Sequence, residues 1–249
     1  MGPTVFDASN GPDVPAEYTD ARVLLEVIAE TVEDAREAEQ GGAGRIELVR
    51  DLDRGGLTPP LSVIEAVVRA VGIPVRVMLR ESEPFVLADL GEPARLQAAA
   101  REAYGCGAAG FVTGFLRDGS PDVPAVQEVL GALLGPVTFH RAFDDAPRPL
   151  DALAVLSAEA RVDRILTSGG AGAWTVRRER LRTLRKAAPP QLTILPGGGL
   201  DAEAVRILAE DGFREAHVGR AARAGSDRRA RVRASCVADL VAIAGGRAL

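Results

Sequence analysis

From Leu24 onward the chain alternates short apolar, β-branched runs with longer amphipathic stretches. The runs begin near Leu24 (LLEVI), Arg45 (RIELV), Val75 (VRVML), Gly110 (GFVTG), Pro136 (PVTFH), Arg164 (RILTS), Leu192 (LTILP) and Glu215 (EAHVG). Near-continuous apolar runs of this length suit strands covered on both faces. Their spacing of about 27 residues leaves room for a strand, a helix of three turns and two loops. After Gly56, Thr58 is placed to cap a helix whose first turn takes Pro59 and Pro60, and Val63, Ile64, Val67, Val68 and Val71 recur on one face of it. Val232, Cys236, Leu240 and Ile243 form a similar stripe near the C-terminus. Strands alternating with helices, with no run of consecutive hairpins, demand parallel strands joined by helical crossovers. Eight such units predict a single-domain α/β protein, a (β/α)8 TIM barrel over residues 22–249. A doubly wound open sheet is the competing architecture, but it would carry a glycine-rich turn after the first strand, and Ile28-Ala29-Glu30-Thr31 has none. Residues 1–21 mix Pro, Gly, Asp and Ser without an apolar period and read as a flexible leader outside the core.

Composition narrows the function classes. The 249 residues carry 30 basic and 35 acidic side chains, a net charge of -5, and show no basic cluster of the kind phosphate backbones require, so no nucleic-acid partner is expected. No apolar run approaches the ~18 residues of a membrane span, and the N-terminus lacks a secretory pattern, so a cytoplasmic protein is expected. Cys106 and Cys236 lie far apart with no neighbouring cysteine, which predicts free thiols. Lys186 is the only lysine, in a stretch (RLRTLRKAAP) expected to face solvent, so lysine-imine chemistry is not expected.

In a closed parallel barrel, chemistry gathers where strands run into the βα loops. Glu26, Glu47, His140 and His217, which include both histidines of the chain, fall at or near strand ends and are the candidate acid–base or metal-binding set. Each histidine also fits a satisfied core imidazole, and each glutamate a buried ion pair with Arg80 or Arg76. Leu195-Pro196-Gly197-Gly198-Gly199-Leu200 ends the seventh strand, and Asp201 is placed to cap the next helix. Gly197, Gly198 and Gly199, with Gly219 and Arg220 after the eighth strand, form a candidate anion cradle, since those loops commonly hold phosphate. Arg80, Arg141, Thr167 and Ser168 complete the candidate binding set, with Asp144 placed to orient an imidazole or a guanidinium. Ser168-Gly169-Gly170 is either a second cradle or a plain turn. At the opposite end, Arg45, Arg76, Arg164 and Glu215 read as structural salt bridges or solvated strand ends.

The strings EVIAETVEDA from Glu26, GGAGRIEL from Gly41, GGLTPP from Gly55, PVTFHRAFD from Pro136, RILTSGG from Arg164, LPGGGL from Leu195 and EAHVGRAAR from Glu215 resemble the CutC family of copper homeostasis proteins. The resemblance runs in register over about residues 24–225 and implies a cytoplasmic TIM barrel, a homodimer or higher homo-oligomer, associated with copper ion binding. Cysteines that some relatives carry on strands one and two are replaced here by Ile28 and Val49, which removes the soft ligands Cu(I) prefers. Met78, His140 and His217 are left, with Glu26 and Glu47 better suited to harder ions. Strand three also departs from relatives, continuing Arg80-Glu81-Ser82-Glu83-Pro84-Phe85, and Gly219-Arg220 stands where a serine is usual. Two functions stay open. One is copper handling, with copper or another divalent metal in the barrel mouth. The other is an isomerase or lyase acting on a small phosphorylated or carboxylated metabolite by His/Glu acid–base chemistry.

Overall fold

The computed structural model describes residues 23–245; the expected leader lies outside them. Eight parallel strands, β1 (Leu24–Ala29), β2 (Arg45–Leu48), β3 (Val75–Met78), β4 (Gly110–Thr113), β5 (Val137–Phe139), β6 (Val162–Thr167), β7 (Thr193–Pro196) and β8 (Glu215–Val218), pair in the order β8-β1-β2-β3-β4-β5-β6-β7. The terminal strands β7 and β8 lie against each other, so the sheet curls into a nearly closed barrel. The doubly wound alternative is excluded by this order. Helices α1 (Val32–Gln40), α2 (Leu61–Ala70), α3 (Glu92–Gly105), α4 (Val123–Leu130), α5 (Pro149–Ser157), α6 (Trp174–Ala187), α7 (Ala202–Glu210) and α8 (Ala234–Ala244) follow the strands in turn.

The helix boundaries follow from local chemistry. Thr31, Asp122 and Asp201 cap α1, α4 and α7 by accepting hydrogen bonds from backbone N–H groups three residues on. Three sequence expectations shift. Thr58 does not cap α2, which starts after Pro60; its hydroxyl instead exchanges hydrogen bonds with the backbone of Arg80. The buried stripe of α8 runs through Val237, Leu240 and Ala244 rather than Cys236 and Ile243. A small antiparallel hairpin, Leu116–Arg117 with Ser120–Pro121, interrupts the βα alternation after β4. Its turn residues Asp118 and Gly119 both have positive φ, the conformation an Asp-Gly pair favours. Lys186 is exposed on α6, as expected.

Alternation along the strands divides the core in two. Leu25, Val27, Ile46, Leu48, Val75, Val77, Phe111 and Val218 face outward and merge with the helices into one large apolar cluster. The inward residues are different: towards the strand starts they are charged. Arg45 on β2 donates to both Glu26 and Glu215, Arg164 holds both Glu215 oxygens at 2.7 and 2.8 Å, and Arg76 grips Asp163 bidentately at 2.7 and 2.6 Å. This confirms Arg45, Arg76, Arg164 and Glu215 as salt-bridge residues. It also corrects the expected pairing of the strand glutamates, because Glu26 pairs with Arg45 and neither glutamate meets Arg76 or Arg80. Arg76 is turned towards β6, and Arg80 lies beyond the end of its strand, where the chain bends away.

Replacing Arg45 by Ala leaves the fully buried Glu26 without its arginine and Glu215 with Arg164 alone, and urea denaturation is expected to show a loss of about 3–5 kcal/mol. Glu26 and Glu215 are both held below the ordinary carboxylate value of 4.5, because arginine attraction and hydrogen bonding outweigh the opposing effect of burial. Their stabilisation is therefore complete above about pH 4.5 and falls as the pH drops through the folded values. Stability measured from neutral pH downward is expected to fall less steeply in Arg45→Ala than in the parent.

Candidate functional site at the barrel mouth

Beyond the C-terminal ends of the strands, a cavity of about 700 Å³ opens into the barrel. Its wall includes Glu47, Arg80, His140, Arg141, Gly198, Gly199, His217, Gly219 and Arg220, so most of the expected site residues meet there. Glu26, Asp144, Thr167, Ser168 and Gly197 do not line it. Ile28 and Val49 do, with Met78 and Leu52, and give its floor an aliphatic patch.

The β8–β1 register sets His217 opposite Glu26, and the imidazole Nδ1 lies 2.8 Å from Glu26 Oε1. Glu26 is fully buried, and both its oxygens are engaged, one by Arg45 and one by His217. An ionised Glu26 accepts from Nδ1–H, which turns His217 Nε2 towards Glu47, whose Oε2 lies 3.6 Å away. The second Glu47 oxygen is buried without a partner among the described residues. Burial and the neighbouring Glu26 charge push the Glu47 carboxyl up to about 7, against the pull of His217 and Arg45. For His217 burial favours the neutral ring, but the Glu47 charge and the Glu26 hydrogen bond outweigh it and raise the imidazole above its ordinary 6.5. Glu26, Glu47 and His217 each offer a ligand atom within 4.8 Å of the others. His140 does not belong to that group.

His140 follows β5 and occupies a different environment. Its Nδ1 accepts from the Ala142 N–H at 3.1 Å, its ring packs on Phe85 with centroids 5.0 Å apart, and Nε2 is buried without a partner among the described residues. Burial, reinforced by the Arg80 charge, pushes its pKa down to about 3. A neutral imidazole whose Nδ1 is an acceptor carries its proton on Nε2, so His140 is a hydrogen-bond donor rather than a base. Gly114 makes this packing possible, since a Cβ there would come within 2.9 Å of His140 Nδ1.

The glycine bends owe their shape to a residue the sequence reading missed. Arg177 on α6 donates to the carbonyls of Ser168, Gly197 and Gly198, clamping both bends from behind. Gly198 and Gly199 adopt φ of +78° and +79°, which only glycine takes without strain. Asp144 orients a guanidinium, that of Arg141, and not an imidazole; it also accepts from the Thr167 and Ser168 hydroxyls, which occupies those two residues with holding the loop. Phe85, Asp145, Asp227 and Arg228 also line the cavity. Asp145 ends a short 3-10 helix, Arg141–Asp145, and the others come from irregular segments whose path no periodicity predicts; only Phe85, the aromatic residue of the departing strand-three loop, left a signal.

A family model described as the CutC family matches residues 23–222. The copper homeostasis protein cutC homolog of Mus musculus is 38% identical over 218 residues, covering 86% of this chain and 79% of that protein. The human homolog is 38% identical over 197 residues, covering 78% and 72%. The crystal structure of CutC from Streptococcus agalactiae superposes with a TM-score of 0.72 at 28% identity, covering 78% of this chain and 97% of that one. Orotidine 5'-phosphate decarboxylase from Pyrococcus horikoshii, at 18% identity and a TM-score of 0.59, covering 89% and 99%, shares the fold.

The two histidines are expected to differ in nitrogen-15 spectra. Between about pH 4 and 8, His140 stays neutral with its proton on Nε2, while His217 titrates above 6.5. In Gly197→Ala the new Cβ would stand 2.6 Å from Leu166 Cδ1 and 3.2 Å from His217 Cδ2, and the His217 resonances are expected to shift while those of His140 stay in place.

Proposed function

The chain belongs to the CutC family, and we propose that it serves copper homeostasis by binding a divalent ion, Cu(II) ahead of other metals, at His217 and Glu47. The observation that carries this reading is the buried, unpartnered Glu47 oxygen beside an imidazole whose other nitrogen is already fixed by Glu26. An imidazole nitrogen and carboxylate oxygens suit Cu(II), which heads the divalent series for such donors. Cu(I) does not fit. Cavity positions 28 and 49 are aliphatic, Met78 is the one sulfur on the wall among the described residues, and neither Cys106 nor Cys236 lines it. Glu26 acts as the positioning residue, holding the tautomer in which Nε2 is free to ligate. Bound there, the ion would supply Lewis acidity at the cavity floor.

A second reading rests on the same three residues. A Glu47 carboxyl near 7 beside His217 is suited to moving protons at neutral pH, the requirement of an isomerase or lyase acting without an imine. Turnover by metal-free protein would favour it. Free thiols at Cys106 and Cys236 support the cytoplasm as the compartment, and a homo-oligomer rests on the family resemblance alone. No described helix is long and apolar enough to cross a membrane.

Calorimetric titration with Cu(II) is expected to show one ion per chain, with binding abolished in His217→Ala and Glu47→Gln and weakened about 10–100-fold in Glu26→Gln. Competition with a Cu(I) chelator is expected to show no stoichiometric Cu(I). Cu(II) binding that survives both His217→Ala and Glu47→Gln would place the ion elsewhere.

A further inference from the structure

Across the cavity from His217 stands a feature that cation binding does not use. Arg80 is 6% exposed, and among the described residues no carboxylate lies within salt-bridge distance of its guanidinium; Glu83 pulls on it from farther off and is itself paired with Arg54. It donates instead to backbone carbonyls, from Nε to Ser82 at 2.7 Å, from Nη1 to Gly55 at 3.2 Å and Gly56 at 3.4 Å, and from Nη2 to Glu83. Carbonyls satisfy its N–H groups but leave its charge only partly compensated, and a buried charge without a close counter-ion is costly unless something offsets it. Elsewhere in this barrel buried guanidinium groups are balanced: Arg45 by Glu26 and Glu215, Arg76 by Asp163, Arg164 by Glu215.

The same corner holds a second unmet group. His140 is 3% exposed, and its Nε2–H has no acceptor among the described residues. Phe85 ties the two together, with its ring 4.7 Å from the Arg80 guanidinium carbon and 5.0 Å from the His140 ring centroid. We propose that Arg80 and His140 form an oxyanion subsite that takes a carboxylate or phosphate group of a small metabolite. His140 Nε2–H donates to the oxyanion, Arg80 supplies the balancing charge, and Phe85 offers an apolar face to the part of the ligand next to it. Nε2 is shielded from bulk water, so a group that reaches it enters a water-poor corner where charge attraction is strong. The cavity of about 700 Å³ suits a metabolite rather than a polymer. At the rim, Arg141, Arg220 and Arg228 outnumber Asp145 and Asp227, which favours entry of an anion.

This inference stands on different residues from the proposed cation site, and its test is arranged to keep the two apart. Inorganic phosphate and, separately, malonate are titrated into the full chain stripped of metal with EDTA and dialysed, with the His140 Nε2–H resonance and the dissociation constant as readouts. At least one anion is expected to shift that resonance saturably. His140→Phe, which keeps a ring against Phe85 and Phe139, is expected to weaken binding about tenfold or more. Stronger binding of phosphate assigns a phosphoryl group, and stronger binding of malonate assigns a carboxylate. An unmoved His140 resonance with both anions overturns the proposal. So does an affinity lost in Arg220→Ala but kept in His140→Phe, which would move the anion to the glycine bend. The wild-type resonance decides the matter even if His140→Phe fails to fold.

Discussion

The interior of this barrel depends on one buried cation, Arg45, shared between Glu26 and Glu215. Glu215 passes the charge network on to Arg164, and through Asp163 to Arg76, so residues from five strands are tied across a space that most barrels of this kind fill with aliphatic layers. Such a network contributes little net stability, because desolvation offsets much of the attraction. Its effect is geometric. Arg45 keeps Glu26 ionised, and an ionised Glu26 holds His217 by Nδ1, so the orientation of that imidazole is set from the opposite end of the barrel.

The two histidines show how environment separates identical side chains. His217 sits between two carboxylates and is drawn towards the protonated state or towards a cation. His140 sits beside Arg80 on an apolar surface and is kept neutral, its one proton committed to Nε2 by the Ala142 N–H. One wall of the cavity thus favours positive charge or protons, and the other, on the reading proposed above, an anion. A ligand spanning them would meet opposite chemistry at its two ends. Cu(II) at the first wall and an oxyanion at the second are compatible occupants, because the electrostatic demands of the two walls are complementary.

Much of the architecture was legible in the residues. Eight β-branched runs at regular spacing gave the barrel, because strands covered on both faces must be apolar and crossover helices need a fixed length of chain. Polar residues at alternate positions of those runs, such as Glu26, Glu47, Arg76 and His217, marked the inward face, and the strand ends marked the mouth. Asp201 and the Asp-Gly turn obey local rules, though the hairpin carrying that turn was too short to register against the surrounding βα rhythm.

Other features had no local signature. Whether Glu26 would pair with Arg45, Arg76 or Arg80 depended on strand register and side-chain reach, which periodicity does not encode, and the expected partners were the wrong ones. Thr58 looked like a helix cap and became a strut for Arg80 because the chain brings that backbone within reach only after folding. Arg177 was one arginine among many on an outer helix until the barrel closed and set it behind two glycine bends. The fold, the inward-facing positions and the strand-end rim could be read from the residues alone, because they follow from covalent spacing and the burial of apolar surface. Which charges pair, which donor lacks a partner among the described residues and which histidine holds a proton came only with folding, because those outcomes depend on distances of a few ångströms between residues far apart in the chain.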